Sequence, residues 1–450
     1  MTMRFRSKVI FLVCSGFLLG AAQTSLAQCD QTLGPGDNVA SAASNAGTGA
    51  TICLSSGDYG SVDFSDIRRS GFVTLRSAKG VEARMSPKVS GSRFIRFQSM
   101  TIAGSTVNNC SLNIEFLNTP FVANASGLLF DASSCPTSTH NYLVDGATFD
   151  EVGQALYNGR LNCRDCNGAI VRNSTFSGIS GRSNADGIQT QGNTQNFTIG
   201  PGNRFTNILQ AECPNSHCDS IQLQWGGTTL ITGNMFDNSD VFIMSPDGCN
   251  DVTVENNVFN GTGLGYEFKL QFGSCASPTI RHNTFVDAGV AIDSKPDRRA
   301  SSNAIAENNV LIGFSNFKTS GGEGCTNCKF QSNLFDDSSD GRGTYVTGTP
   351  TFVGGSLPTT WAGWRLASGS VGVKAASDGK DMGTNYYGSG EPAPSEPPPA
   401  PTPTPTPTPD PTPTPDPPPT PDPPPTPDPP PTPTPTPTAP APPTGLRVIR

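Results

Sequence analysis

The sequence predicts an all-β protein, a right-handed parallel β-helix with capped ends, and three observations lead there. First, a short unit recurs with an apolar residue at Phe149, Phe176, Phe205, Phe236, Phe259, Phe285, Leu311 and Phe335, at spacings of 27, 29, 31, 23, 26, 26 and 24 residues. Second, each unit reads as a short alternating strand, such as Val252-Thr253-Val254-Glu255, then an Asn-containing turn and the aromatic. Third, the chain is rich in Gly (49 residues) and only 15% charged, a composition that disfavours long helices and suits short strands joined by turns. One such coil cannot bury its own apolar side. Stacked at about 4.8 Å per coil, the Phe column becomes a continuous core and the Asn column a hydrogen-bonded ladder. Leucine-rich repeats share the period, but their L-x-x-L-x-L ladder is absent, and no segment has the helical periodicity that helical repeats require.

The elements follow in order. Residues 1–27 read as a secretory signal peptide, with Arg4, Arg6 and Lys8 before an apolar run and with Ser25 and Ala27 at a cleavage site. That run is shorter than the roughly 20 residues a membrane span needs, so the expected product is secreted, extracellular or periplasmic, with no membrane span. Residues 28–106 are assigned to an N-terminal cap and first coils, and 107–390 to the solenoid with its C-terminal cap. Residues 391–443, almost wholly Pro, Thr and Asp, read as an extended polyproline linker. The stub 444–450 is too short to fold.

Twelve cysteines remain after the signal: Cys29, Cys53, Cys110, Cys135, Cys163, Cys166, Cys213, Cys218, Cys249, Cys275, Cys325 and Cys328. An even set in an exported chain points to disulfides. Pairing in chain order would close only short loops, and the connectivity stays open. Zinc at the two CxxC pairs is the alternative. The net charge of −8, with 29 Lys and Arg, gives no support to nucleic-acid binding.

Over roughly residues 107–333 the repeats resemble the right-handed parallel β-helix superfamily of pectate lyases, polygalacturonases and alginate or chondroitin lyases. Thr51-Ile52-Cys53-Leu54 and Gly57-Asp58-Tyr59-Gly60 resemble the entry segment of such proteins, which a Cys29–Cys53 disulfide would tie down. Pro350 to Leu366 and Asp378-Gly379 read as the terminal coil and cap, with Trp361 and Trp364 packed there. The resemblance implies a lateral groove that binds a polysaccharide, and a chain that works as a monomer.

A second strand per coil faces that groove. Aligning it brings Asp186, Asp219, Asp240, Glu267 and Asp293 into one column, at 12–14 residues from the next coil's apolar strand residue in the four cases followed. Stacked carboxylates repel unless neutralised. Screening on a solvated face is one explanation. The others are Ca²⁺ held by Asp219, Asp240 and Glu267, or one protonated carboxyl beside an ionised partner.

Asn184-Ala185-Asp186-Gly187 resembles the NTDG segment of polygalacturonases, which implies hydrolysis by Asp186 and Asp219. Ala185 replaces the family's Thr, no paired Asp stands at Asp219, and Glu267-Phe268-Lys269 lacks the Arg-x-Lys. Lys269, Lys295, Arg298 and Arg299 supply what β-elimination requires, a base for the C5 proton and a cation for the neighbouring carboxylate. The leading expectation is therefore a polysaccharide lyase acting on a uronate-containing glycan, with Lys269, Lys295, Arg298, Asp186 and Asp219 as catalytic candidates. Trp225, Arg299, His217 and Gln222 are the substrate-binding candidates. A hydrolase and a non-catalytic surface solenoid are the alternatives.

Overall fold

A computed structural model describes residues 28–388, apart from 136–137, 156–158, 179–184, 214–217, 263–267, 294–299, 314, 319–323 and 338–342. The signal-peptide, linker and C-terminal-stub assignments lie outside the described residues.

The chain winds as a parallel β-solenoid. Each central coil contributes one strand to a 12-stranded sheet and two to a 21-stranded sheet. Thus Asp186–Gln191 is followed by Phe197–Ile199 and Arg204–Thr206, and each pairs with its counterpart one coil on. Among the described residues every pairing is parallel except one bridge between Phe352 and Leu366. The only α-helix described, Val39–Asn45, buries Val39 and Ala43 near the first coils; the Asn38 side chain accepts the Ser41 N–H at its start.

The repeat residues do what burial demands of them. Phe121, Phe149, Phe176, Phe205, Phe236, Phe259 and Phe285 stack face to face with centroids 4.3–4.9 Å apart. Leu311 and Phe335 extend the column, and all are buried. Just before it the chain turns through a left-handed residue, Asn173, Gly202, Gly233, Asn256, His282, Asn308 or Ser332. From Gly202 onward the following residue is always Asn. Asn203, Asn234, Asn257, Asn283, Asn309 and Asn333 pass Nδ2–H to the next Oδ1 at 2.9–3.1 Å. Each buried amide thus finds its partners in the coils above and below.

Six disulfides join the cysteines in chain order: Cys29–Cys53, Cys110–Cys135, Cys163–Cys166, Cys213–Cys218, Cys249–Cys275 and Cys325–Cys328. Both CxxC pairs are therefore bonded to themselves and not arranged for zinc. Among the described residues no helix is long and apolar enough to cross a membrane.

The segment read as terminal coil and cap packs instead against the flank of the solenoid. Phe352, Trp364, Leu366, Ala376 and Met382 cover Met235, Val258, Val286, Val310 and Leu334 on the outer face of the long sheet, making a second apolar core. Residues 377–386 then run back against the order of the coils. Ser377 bonds Asn308, Asp378 and Asn385 bond His282, Thr384 bonds Thr284 and Asn256, and the Tyr386 ring lies against the Gly233 turn.

Candidate active site

The strands of the second sheet place the expected acids. Ile188 pairs with Ile221, which puts Asp186 and Asp219 in one column on successive coils. The column does not continue as expected, because Asp219 pairs with Val241, and Asp240 sits one residue ahead of it. A slip of one residue reverses side-chain direction in a strand. Loop offsets that vary by one residue therefore cannot carry a facing assignment. Glu267 lies outside the described residues, and of Asp293 only the backbone is described.

The acids are also not on an open face. Asp186 and Asp219 are 1% and 0% exposed, and Lys269 is 0% exposed. The Asp219 N–H donates to Asp186 Oδ1 at 2.8 Å. Burial, and next the Asp219 charge, push the Asp186 carboxyl well above the ordinary aspartate range; that N–H and Arg160 pull it back. Arg160, 2% exposed, donates from its Nη atoms to the carbonyls of Ser177, at 2.7 Å, and Gly178. Burial lowers its guanidinium to about 10, against the opposing pull of Asp150, Asp186 and Glu151. Two coils beyond Asp186, Asp240 accepts the Gln210 N–H at 2.6 Å. Lys269 Nζ on the following coil donates to the Ser239 carbonyl at 3.4 Å and lies 5.8 Å from the Phe242 ring centroid. Burial lowers its ammonium below the usual lysine value, and Asp240 draws it back up.

In chain order these residues make a buried row along the start of four strands and the Asp240 turn: cation, three carboxylates, cation. They are not in one register: Arg160 stands opposite Gly187 and Lys269 opposite Phe242, each one residue off the Asp186–Asp219 column. The direct couplings are Arg160 and Asp219 with Asp186, and Asp240 with Lys269. With a proton on Asp186 the row is neutral, which is how buried charge is tolerated. Chemically it offers a carboxylic acid beside a carboxylate at one end and a lysine with an eased proton at the other.

The remaining expected residues divide. Gln222 is buried in an amide ladder in which Asn162 donates to Gln189 at 2.8 Å and Gln189 to Gln222 at 2.5 Å. Trp225 is exposed at the far end of the Asp219 strand. Arg281, between Lys269 and Lys295 in the sequence, belongs to the other sheet and pairs with Glu255 at 2.7 Å. His217, Lys295, Arg298 and Arg299 lie outside the described residues.

Among the described residues no three Asp, Glu, His or Cys side chains converge, and Asp240 is out of register with Asp219; Glu267, the third residue expected to hold Ca²⁺, lies outside the described residues. A hard cation needs six or more oxygens. Arg160 was missed by sequence reasoning. Aligning Gly159-Arg160-Leu161-Asn162-Cys163 on Asp186-Gly187-Ile188-Gln189-Thr190 finds it, since those strands pair residue for residue.

No family model and no curated protein matches the chain. Among solved structures it is similar to a family PL6 polysaccharide lyase from Pseudopedobacter saltans, at 13% identity over 71% of this chain and 91% of that one, with a TM-score of 0.50. It is also similar to the PL6 alginate lyase AlyGC, at 12% identity over 81% of this chain, with a TM-score of 0.44; there it spans 59% of the lyase's length. A third similar structure is the surface protein and adhesin PfbA of Streptococcus pneumoniae, at 13% identity over 68% and 94% of the two chains and a TM-score of 0.44. At such identities the likeness is one of architecture, and in architecture this chain is a parallel β-helix protein.

Proposed function

We propose that this protein is an exported polysaccharide lyase that cleaves a uronate-containing glycan by β-elimination at the edge of the second sheet. The observation that carries the reading is the buried row Arg160, Asp186, Asp219, Asp240 and Lys269. A solenoid needs only apolar residues or amides at such positions, as the Phe and Asn columns show. Charge held there costs stability and calls for another reason. Fold neighbours that are polysaccharide lyases add to it.

In this reading the neutral amine of Lys269 takes the C5 proton. The C5–H electrons form the C4=C5 double bond, the C4–O bond breaks, and the departing oxygen leaves with a proton from solvent. Burial of Lys269 eases this by lowering the pH at which the amine is free. Lys295 is the alternative base, with Arg298 or Arg299 as the two-donor partner of the substrate carboxylate. Because the row is enclosed, a polymer must open this edge of the sheet to reach it. No step is assigned to Ca²⁺.

A panel of polyuronates, followed by the ultraviolet absorbance of unsaturated products, tests the reading. Lys269→Met is expected to lower turnover by roughly 10²–10⁴, the usual worth of a positioned acid or base. It also removes the cation nearest the buried Asp240, so the melting temperature is expected to fall, and turnover is compared on folded protein. Rates should rise with pH and level off below the ordinary lysine value. Full activity in Lys269→Met, Lys295→Ala and their double variant would end the lyase reading.

A second reading is favoured by one observation, the raised Asp186 carboxyl beside Asp219, since hydrolysis uses an acid and an ionised partner. It predicts reducing ends without unsaturation, lost in Asp186→Asn and Asp219→Asn. No product from any glycan would leave a binding or structural solenoid.

A further inference from the structure

Trp225 stands apart from the buried row. It follows the strand Asp219–Leu223, which Asp219 begins, so the two are separated by up to about 20 Å at roughly 3.3 Å per residue. Its side chain is the most exposed large apolar group among the described residues, at 66%. Its backbone is left-handed as well, with φ +60°. The two coils before it place Asp165 (φ +53°) and Gly192 (φ +63°) at this corner, residue types that adopt the conformation with little strain. A tryptophan there is strained and wet at once, with no gain to the core. Such a combination is found where a side chain serves a ligand.

The surroundings say which ligand. Gly192, on the coil between, has no side chain, and the Asp165 carboxylate occupies the space above it. A Cβ on Gly192 would meet Asp165 Oδ1 at 2.3 Å. That oxygen accepts the Asn193 N–H at 2.8 Å, which fixes the carboxylate facing this corner. Arg164 sits 3.8 Å from both Asp131 and Asp165, so among the described residues this ion-pair group has two carboxylates against one guanidinium.

We propose that Trp225 and Asp165 form a surface subsite for an uncharged pyranose ring. The apolar C–H face of the sugar lies on the indole, and a ring hydroxyl donates to the Asp165 carboxylate, a charge-assisted bond. A uronate would meet net negative charge here and is disfavoured. The subsite is separate from the buried row and does not depend on cleavage.

The protein has three tryptophans, and Trp361 and Trp364 lie in the C-terminal flank, so the exposed indole can be followed by its emission. The full-length protein is titrated with neutral gluco-, xylo-, manno- and galacto-oligosaccharides and with oligouronates. At least one neutral series is expected to shift the emission to shorter wavelength, and the uronates should not. Asp165→Asn should weaken binding about tenfold or more, the worth of a hydrogen bond to a charged group. Trp225→Asn, suited to a left-handed backbone, should lose binding by calorimetry while melting no lower than the parent protein. Lys269→Met should bind as the parent does, whatever becomes of the elimination assay. No shift with any neutral series, an equal shift with uronates, or undiminished binding by Trp225→Asn would each overturn the proposal.

Discussion

Asp186 shows how a single carboxyl is set by its surroundings. Its raised pKa means that the folded chain keeps a proton which the unfolded chain releases. Its contribution to stability is therefore greatest in acid. It is lost as pH climbs from the ordinary aspartate value, about 3.9, through the raised one. Asp186→Asn keeps an oxygen for the Asp219 N–H and removes the titration. The variant is expected to melt a few degrees higher near neutral pH and to show less fall in melting temperature from pH 4 to 7. An unchanged pH profile would mean that Asp186 is ionised in the folded protein. The sequence made Asp186 and Asp219 visible, because two Asp-x-Ile/Asp-x-Ile strands align without ambiguity. It could not tell that they are enclosed, since burial here depends on neighbouring coils and not on the strand itself.

At the scale of the element, the turn with its Asn ladder was legible and the second sheet was not. The Asn and Phe positions are separated by a constant two residues in Asn234/Phe236, Asn257/Phe259 and Asn283/Phe285. A tight turn and a three-residue strand leave no room for slippage. Between the Phe and the next second-sheet strand the chain length varies, and a one-residue error there placed Asp240 in the wrong column. The ladder also has a measurable weight. Asn257 accepts the Asn234 N–H at 2.9 Å and donates to the Ile231 carbonyl at 2.9 Å, both buried. Asn257→Ala strips both partners, and an unpartnered buried group costs about 1–3 kcal/mol. A loss of roughly 3 kcal/mol or more in urea unfolding is expected, rivalling the roughly 3–5 kcal/mol for Phe259→Ala in the adjacent stack. A loss below about 1 kcal/mol would show that water replaces the ladder bonds.

For the whole molecule, the parallel solenoid could be read from its repeats, whereas the returning C-terminal segment could not. Its polar contacts come from scattered single residues, Ser377 at Asn308, Asp378 and Thr384 at the His282–Thr284 coil and Asn385 at Asn256 and His282, so three coils are met by four residues. No periodicity marks them, so Asp378-Gly379 read as part of a cap. Removing the chain from Ala376 onward is expected to lower, without abolishing, amide-exchange protection at the Asn256, His282 and Asn308 turns, whose N–H groups bond the next coil at 3.0–3.4 Å, while leaving the Phe stack unchanged. Uniform loss along the solenoid would show that the segment supports the core itself.

That segment changes how the protein meets mechanical load. In a solenoid held only by neighbours, a pull at the last coil peels turns off singly, at low force. Here the chain returns past Asn308, His282 and Asn256 before leaving the described structure at Gly388, with Tyr386 against the Gly202 and Gly233 turns. Tension on the C-terminus is thus delivered to the middle of the stack and crosses several coils in shear. The coils from Phe236 to Phe335 are bypassed until that lacing gives way.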